Sequence, residues 1–255
     1  MSEKSLDSSK IAVLGAGNLG YAIAKRLKES GYEVIVTGRR EAVLESLKKM
    51  GCRVTNNRDA VSEADFVIIT VKPKDLDSLI DEIRDCAEGK IIISFVAMKK
   101  LEDIRMNAKI VRAMSNILCE YGLAFTAYYC EFDDDEIESI LSKLGDVYKA
   151  KDEKEVDLMT AFSGSAPAFV AKIIESFIYA GLNSGLNAEV SKKCALSVFK
   201  ATSEALKTQS PEEFIIKVTT PAGTTIQGLR KLMEHRVDFA IVDALQATAR
   251  RAMGS

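Results

Sequence analysis

The stretch from Lys10 to Arg40 decides the fold: it opens KIAVLGAGNLG and closes VIVTGRR. Ile11, Ala12, Val13 and Leu14 form an apolar run with no polar face, as expected of a strand covered on both sides in a parallel sheet. Gly15, Gly17 and Gly20 follow at once, in the spacing G-x-G-x-x-G. The first glycine permits a tight turn, the second lets a pyrophosphate approach the backbone, and the third lets the next helix pack closely on its strand. Asn18 opens that helix, whose free N–H groups and dipole favour an anion. With a strand before the glycines and a helix after them, the motif has the context of a dinucleotide cradle.

The next strand, Glu33 to Thr37, points to the kind of dinucleotide. NAD enzymes place an acid near the end of this strand, roughly 20 residues past the glycines, to bind the ribose 2′-hydroxyl. Here Gly38, Arg39 and Arg40 occupy that place, so the acid is missing and two cations stand where a 2′-phosphate would sit. A planar guanidinium can grip phosphate oxygens bidentately. NADPH is therefore the expected cofactor, with NADH as the second choice.

Apolar runs and helical spacing then alternate. Cys52 to Thr55, Phe66 to Val71, Ile91 to Ser94 and Lys109 to Met114 read as strands, and Leu123 to Tyr129 and Asp146 to Lys149 as additions at the sheet edge. Pro73 stops the strand before it at the end where open α/β sheets bind ligands. Asp75 to Cys86 and Asp133 to Leu144 read as helices. The expectation is an α/β chain, a Rossmann-type doubly wound sheet over residues 1–150, followed by an all-helical domain over 151–255. Ala168 to Leu182 is apolar around most of its circumference, and a helix of that kind is buried on more than one side. In a helical domain this small, burial against a second copy is expected.

Composition narrows the rest. The net charge is −2 with no basic tract, which gives no footing for nucleic acid or an anionic membrane. No uninterrupted apolar run reaches the roughly 18 to 20 residues of a bilayer span, and the polar start MSEKSLDSSK is no secretory signal. A cytoplasmic protein is expected, with residues 1–9 as a weakly held tail. Cys52, Cys86, Cys119, Cys130 and Cys194 are widely separated and read as packing residues of a reducing compartment. The single histidine, His235, gives no support to a histidine-rich zinc site or a Ser-His-Asp triad, and no metal is expected. The acids Asp133 to Asp135 read as a solvated helix start. The chemistry must lean on a cofactor.

Val218 to Met233, VTTPAGTTIQGLRKLM, reads either as a second anion site or as an ordinary capped helix. Thr220 reads as an N-cap, Pro221 as the first helical residue, and Gly223 as an uncovered position that lets the N–H groups of Gly223, Thr224 and Thr225 face a carboxylate.

This stretch resembles the signature of the Δ1-pyrroline-5-carboxylate reductases. The resemblance runs from Lys10 to about Met253 and takes in the glycine fingerprint, Thr70 to Pro73 and Ser94. It also takes in the R-x-M-x-N segment Arg112 to Asn116 and the SGSxPAF segment Ser163 to Phe169. It implies hydride transfer from NAD(P)H to the C=N carbon of a cyclic imino acid, giving L-proline. It also implies a homodimer built through the C-terminal helices, sometimes assembled into larger rings.

Carried over residue by residue, Gly15, Asn18, Leu19, Gly20, Asn57, Val71, Lys72, Pro73, Ala97 and Asn116 line the cofactor, to which the reading of the residues themselves adds Gly17, and Arg39 and Arg40 at the 2′-phosphate. Gly223, Thr224 and Thr225 hold the substrate, Ser163 and Ser165 line its pocket, and Thr225 is the candidate catalytic residue. The chain departs from the family pattern at Met98, Ser115, Ile117, Leu118, Ala166 and Ala222, which bears on the substrate more than on the reaction type. A related imine or β-hydroxyacid reductase, and an NADPH-binding protein without catalysis, fit the same scaffold.

Overall fold

In the computed structural model, which describes residues 9–254, the apolar runs become a sheet. Apart from Ser9, the expected N-terminal tail lies outside the described residues. The strands are β1 (Lys10–Leu14), β2 (Glu33–Thr37), β3 (Arg53–Val54), β4 (Phe66–Ile69), β5 (Ile91–Ser94), β6 (Lys109–Met114), β7 (Ala124–Tyr129) and β8 (Gly145–Lys149). They form one eight-stranded sheet in the order 3-2-1-4-5-6-7-8. The strands from β3 to β6 pair in parallel, β7 runs antiparallel to β6, and β8 runs parallel to β7.

Helices α1 (Asn18–Glu29), α2 (Glu41–Lys49), α3 (Asn57–Glu63), α4 (Leu76–Ile83) and α5 (Asp135–Ser142) connect the strands. The two-residue period of β1 divides the core. Ile11 and Val13 pack with Ile23 and Leu27 on one side, and Ala12 and Leu14 pack with Leu76 and Ile80 on the other. Both faces are covered, as a doubly wound sheet requires. Strand β4 ends at Ile69, earlier than the apolar run suggested, and Thr70 after it is tied to the end of β1. Its N–H donates to the Leu14 carbonyl at 2.9 Å and its hydroxyl to the Gly15 carbonyl at 2.8 Å.

Beyond β8 the chain is helical. Helix α6 (Glu153–Met159) leads into a π-helical segment, Thr160–Ser165. Helices α7 (Ala166–Asn183), α8 (Ala188–Ala205), α9 (Pro211–Val218), α10 (Thr224–Glu234) and α11 (Val237–Ala252) follow. Caps set their starts: Asn187 accepts from the Val190 N–H at 2.9 Å, and Ser210 and Glu213 form a reciprocal capping box around Pro211.

The described residues divide into two compact units, one running up to residue 165 and resuming at 248, the other residues 166–247. In the second unit, α7 and α8 approach closely at Gly181, where an added Cβ would lie 2.6 Å from the Ser191 hydroxyl oxygen. Phe177 and Phe199 meet edge to face at 5.0 Å. Even so, α7 has no fully buried residue, and Phe177, Tyr179, Val190, Leu196 and Ile216 are exposed on the single chain. The helical run Glu153–Asn183 is, by length and composition, apolar enough to cross a bilayer, which the uninterrupted-run reading of the sequence did not register.

Candidate active site

The glycine turn after β1 is built as a cradle. Gly15 has a φ of +100°, and a Cβ there would lie 2.8 Å from Val71 Cγ1. At Gly20 a Cβ would lie 2.3 Å from the Gly15 carbonyl oxygen, so neither position accepts a side chain. Gly17 differs, since its Cβ would meet only the Gly15 oxygen, at 3.9 Å, and otherwise point into open space. That open side is where a pyrophosphate can reach the backbone. Helix α1 starts at Asn18 with no side-chain cap and no acid in its first turn, which leaves its N-terminal dipole to an external anion. These features fit a dinucleotide.

The other cofactor candidates stand beyond the carboxyl ends of the parallel strands, and the strand order reverses between β1 and β4, where Gly15 meets Val71. Arg39 and Arg40 follow β2 and are exposed. Arg39 Nη2 donates to Asp75 Oδ2 at 2.9 Å, and Arg40 Nη1 to Asn18 Oδ1 at 3.4 Å. Asn57 opens α3 with both ends of its amide engaged, accepting from the Thr37 hydroxyl at 2.5 Å and donating to Glu82 Oε2 at 2.8 Å. Half-buried Val71, exposed Lys72 and half-buried Pro73 follow β4, with Pro73 opening a 3₁₀ turn to Asp75. Half-buried Ala97 follows β5.

Asn116 follows β6 and is buried. Its Nδ2 donates to the Ser163 carbonyl at 3.1 Å and to the Ser163 hydroxyl at 3.2 Å, and its Oδ1 accepts from the Leu118 N–H at 2.9 Å. The Ser163 hydroxyl donates to the Phe125 carbonyl. The structure thus brings Asn116 against Ser163, which lies on the π-helical segment that also carries half-buried Ser165. Such a segment widens a helix and recurs at functional sites.

The sequence reading missed what anchors this corner. Arg112, 2% exposed, donates to Glu153 Oε1 at 3.3 Å and to Asp157 Oδ1 at 2.7 Å. Cys119, in the 3₁₀ segment Ile117–Tyr121, is buried, and that burial, helped by the Glu120 charge, pushes its thiol up to about 12. His235 is exposed at the end of α10.

The second unit corrects one expectation. Thr220 is not an N-cap and Pro221 does not open a helix. Instead, Thr220 to Gly223 make a turn, closed by the Gly223 N–H donating to the Thr220 carbonyl at 3.0 Å, and α10 begins at Thr224 with Gly223 as its N-cap. Proline at the second position and a left-handed third residue, Ala222 at φ 58°, explain why the turn wins. A Cβ on Gly223 would lie 2.3 Å from the Thr220 hydroxyl oxygen, so a side chain there would have to displace that hydroxyl. Like α1, α10 starts without a side-chain cap or an acid in its first turn. Thr224 is exposed and Thr225 half-buried in that first turn.

Met98, φ 59°, is also left-handed, so two departures from the family's glycines, Met98 and Ala222, fall where glycine fits best. A Cβ in this conformation costs about 1–2 kcal/mol. Ala222→Gly is expected to raise stability by about 1 kcal/mol, part of that gain being offset by the freer unfolded chain. A urea midpoint unchanged or lowered in Ala222→Gly would show that the turn is not strained.

The sheet order and the cradle are those of a dinucleotide-binding fold, followed by a helical C-terminal region. Residues 153–254 match the family model for pyrroline-5-carboxylate reductase dimerisation, and residues 10–98 match that for NADP oxidoreductase, coenzyme F420-dependent. The chain is 32% identical to the pyrroline-5-carboxylate reductase of Corynebacterium melassecola over 95% of its length and 97% of the relative's. It is 30% identical to that of Aquifex aeolicus over 95% and 96%. The 1-pyrroline-5-carboxylate reductase of Streptococcus pyogenes superposes with a TM-score of 0.88 at 25% identity, covering 98% of this chain and all of that one. The chain belongs to the pyrroline-5-carboxylate reductase family and is an NAD(P)H-dependent oxidoreductase.

Proposed function

We propose that the chain carries out its family's reaction with the residues assembled above. The reaction is the reduction of the C=N bond of Δ1-pyrroline-5-carboxylate to L-proline, the closing step of proline biosynthesis. The observation that carries the reading is the cradle, closed to any Cβ at Gly15 and Gly20 and open at Gly17, on a chain related to these reductases over 95% of its length. NADPH, when bound, supplies the hydride. Gly15, Gly17, Asn18, Leu19, Gly20, Asn57, Val71, Lys72, Pro73, Ala97 and Asn116 hold it, with Asn57 and Asn116 acting as fixed walls because their amides are already engaged.

Gly223, Thr224 and Thr225 hold the imino-acid carboxylate at the start of α10, with Ser163 and Ser165 lining the substrate pocket. A cyclic imine protonates readily and its iminium is already electrophilic, so the protein's task is orientation more than acid catalysis. NADPH oxidation by the purified protein is expected with pyrroline-5-carboxylate in preference to pyrroline-2-carboxylate and piperideine carboxylates. Failure with all of these would leave only cofactor binding.

Arg39 and Arg40 replace the acid of an NAD enzyme, and NADPH is the preferred cofactor on this reading. Charge-assisted bonds to a phosphate make Arg39→Asp lower the kcat/KM ratio of NADPH over NADH by about ten- to a hundredfold. Equal kcat/KM for both cofactors in the wild type would refute the arginine reading.

In functional terms residues 1–150 bind the nucleotide and residues 151–255 bind substrate and pair the chains. The dimerisation match at 153–254 gives the exposed apolar residues of α7 and α8 an occupant, a second copy, and the apolar run Glu153–Asn183 an explanation without a bilayer. The reading is of a cytoplasmic homodimer, able to assemble further, with no nucleic-acid or membrane partner. Sedimentation at micromolar concentration is expected to show a dimer or larger species. A folded, active monomer would contradict this.

A further inference from the structure

Asp75 is the acid nearest to the nucleotide-selecting arginine, and nothing in the sequence pointed to it. It closes the 3₁₀ turn after β4, with its N–H donating to the Lys72 carbonyl at 2.9 Å, while Arg39 reaches it from the loop after β2. The contact is one bond, Arg39 Nη2 to Asp75 Oδ2 at 2.9 Å. Arg39 is 82% exposed and Asp75 29%, so the guanidinium is open to an incoming group and the carboxylate is the more sheltered partner.

The acid has no other assigned task. It stands at the N-cap of α4 yet makes no capping bond, and the next acid, Asp77, is met by Lys99 at 3.3 Å. The pair spans two loops that both follow strands flanking β1, on the side where the cradle opens.

Resting on the reading of Arg39 as the 2′-phosphate ligand, we propose that Asp75 is a specificity-setting residue that competes with the cofactor's 2′-phosphate for Arg39. A 2′-phosphate must draw the guanidinium away from Asp75 and then sit near that carboxylate. A free ribose 2′-hydroxyl asks for neither, because Arg39 stays paired with Asp75 and no charge is left alone. Asp75 therefore lowers the affinity for NADPH without touching that for NADH, and keeps NADH usable on a chain with two arginines after β2.

The test is direct binding of NADPH and NADH, by calorimetry without substrate, to the full-length wild type, Asp75→Asn, Arg39→Ala and the double variant. Asp75→Asn is expected to tighten NADPH about fivefold, the size of an exposed ion pair, and to leave NADH within about twofold. In the Arg39→Ala background the same change should have little effect, since the competition acts through the guanidinium. Unchanged or weaker NADPH binding in Asp75→Asn would overturn the proposal, by showing that the acid orients Arg39 or leaves it alone. An undiminished gain in the Arg39→Ala background would overturn it too, by showing simple charge repulsion. If Arg39→Ala itself leaves the NADPH to NADH ratio unchanged, the reading of Arg39 falls, and the competition with it.

Discussion

Thr225→Ala is expected to lower kcat by roughly ten- to a thousandfold, the value of one transition-state hydrogen bond of about 1.5–4 kcal/mol. Thr225 lies in the first turn of α10, half-buried, next to the uncapped backbone proposed to hold the carboxylate. Its hydroxyl would donate to the ring nitrogen, orienting the imine and supporting the developing amine. A hydroxyl of pKa far above 7 is a poor general acid, so the contribution is positioning and not full proton transfer. Thr225→Ser should keep most of the activity. NADPH binding should be unaffected in both variants, because the cofactor residues lie elsewhere in the chain. A correctly folded Thr225→Ala protein that turns over at the wild-type rate would remove Thr225 from the mechanism.

The second large effect concerns stability. Arg112 is 2% exposed and owes its charge balance to Glu153 and Asp157, whose side chains are 25% and 19% exposed. Glu153 Oε1 also accepts from the Leu101 N–H at 2.7 Å. Replacing both acids by alanine leaves a buried guanidinium uncompensated and should cost about 3–5 kcal/mol. Arg112→Met should cost clearly less, since the freed carboxylates can hydrate and an apolar chain of similar length can fill the space. Urea unfolding at one fixed protein concentration measures both, because a protein that self-associates changes its apparent stability with concentration. An Arg112→Met protein less stable than the double-acid variant would reverse the account of this cluster.

These two sites also show where sequence reading succeeds and where it stops. Strands β2, β5 and β6 have the limits read from the sequence, and most of their residues are buried, as in strands covered on both faces. The glycine cradle was legible because Gly15 and Gly20 are demanded by local contacts, while Gly17 leaves the side between them open. The Thr220–Gly223 turn was not. Threonine then proline is the usual opening of a helix, and only the left-handed backbone at Ala222, a residue with no preference for that conformation, sends the chain into a turn first.

The Arg112 cluster was hidden for a different reason. Within KIVRAM the arginine carries no sign that it points inward, and its acidic partners lie 41 and 45 residues further on. The π-helical segment Thr160–Ser165 likewise has no periodicity of its own to betray it. The Arg39–Asp75 contact joins loops 36 residues apart and needed the strand order to bring them together.

The central claim is direct hydride transfer from the nicotinamide to the imine carbon of a pyrroline carboxylate. It is tested by incubating the purified chain with pyrroline-5-carboxylate and NADPH deuterated at the transferable position of the nicotinamide, then analysing the product by mass spectrometry and NMR. L-Proline carrying a single deuterium at C5 is the predicted result. Unlabelled proline, or NADPH consumed without proline, would contradict the account.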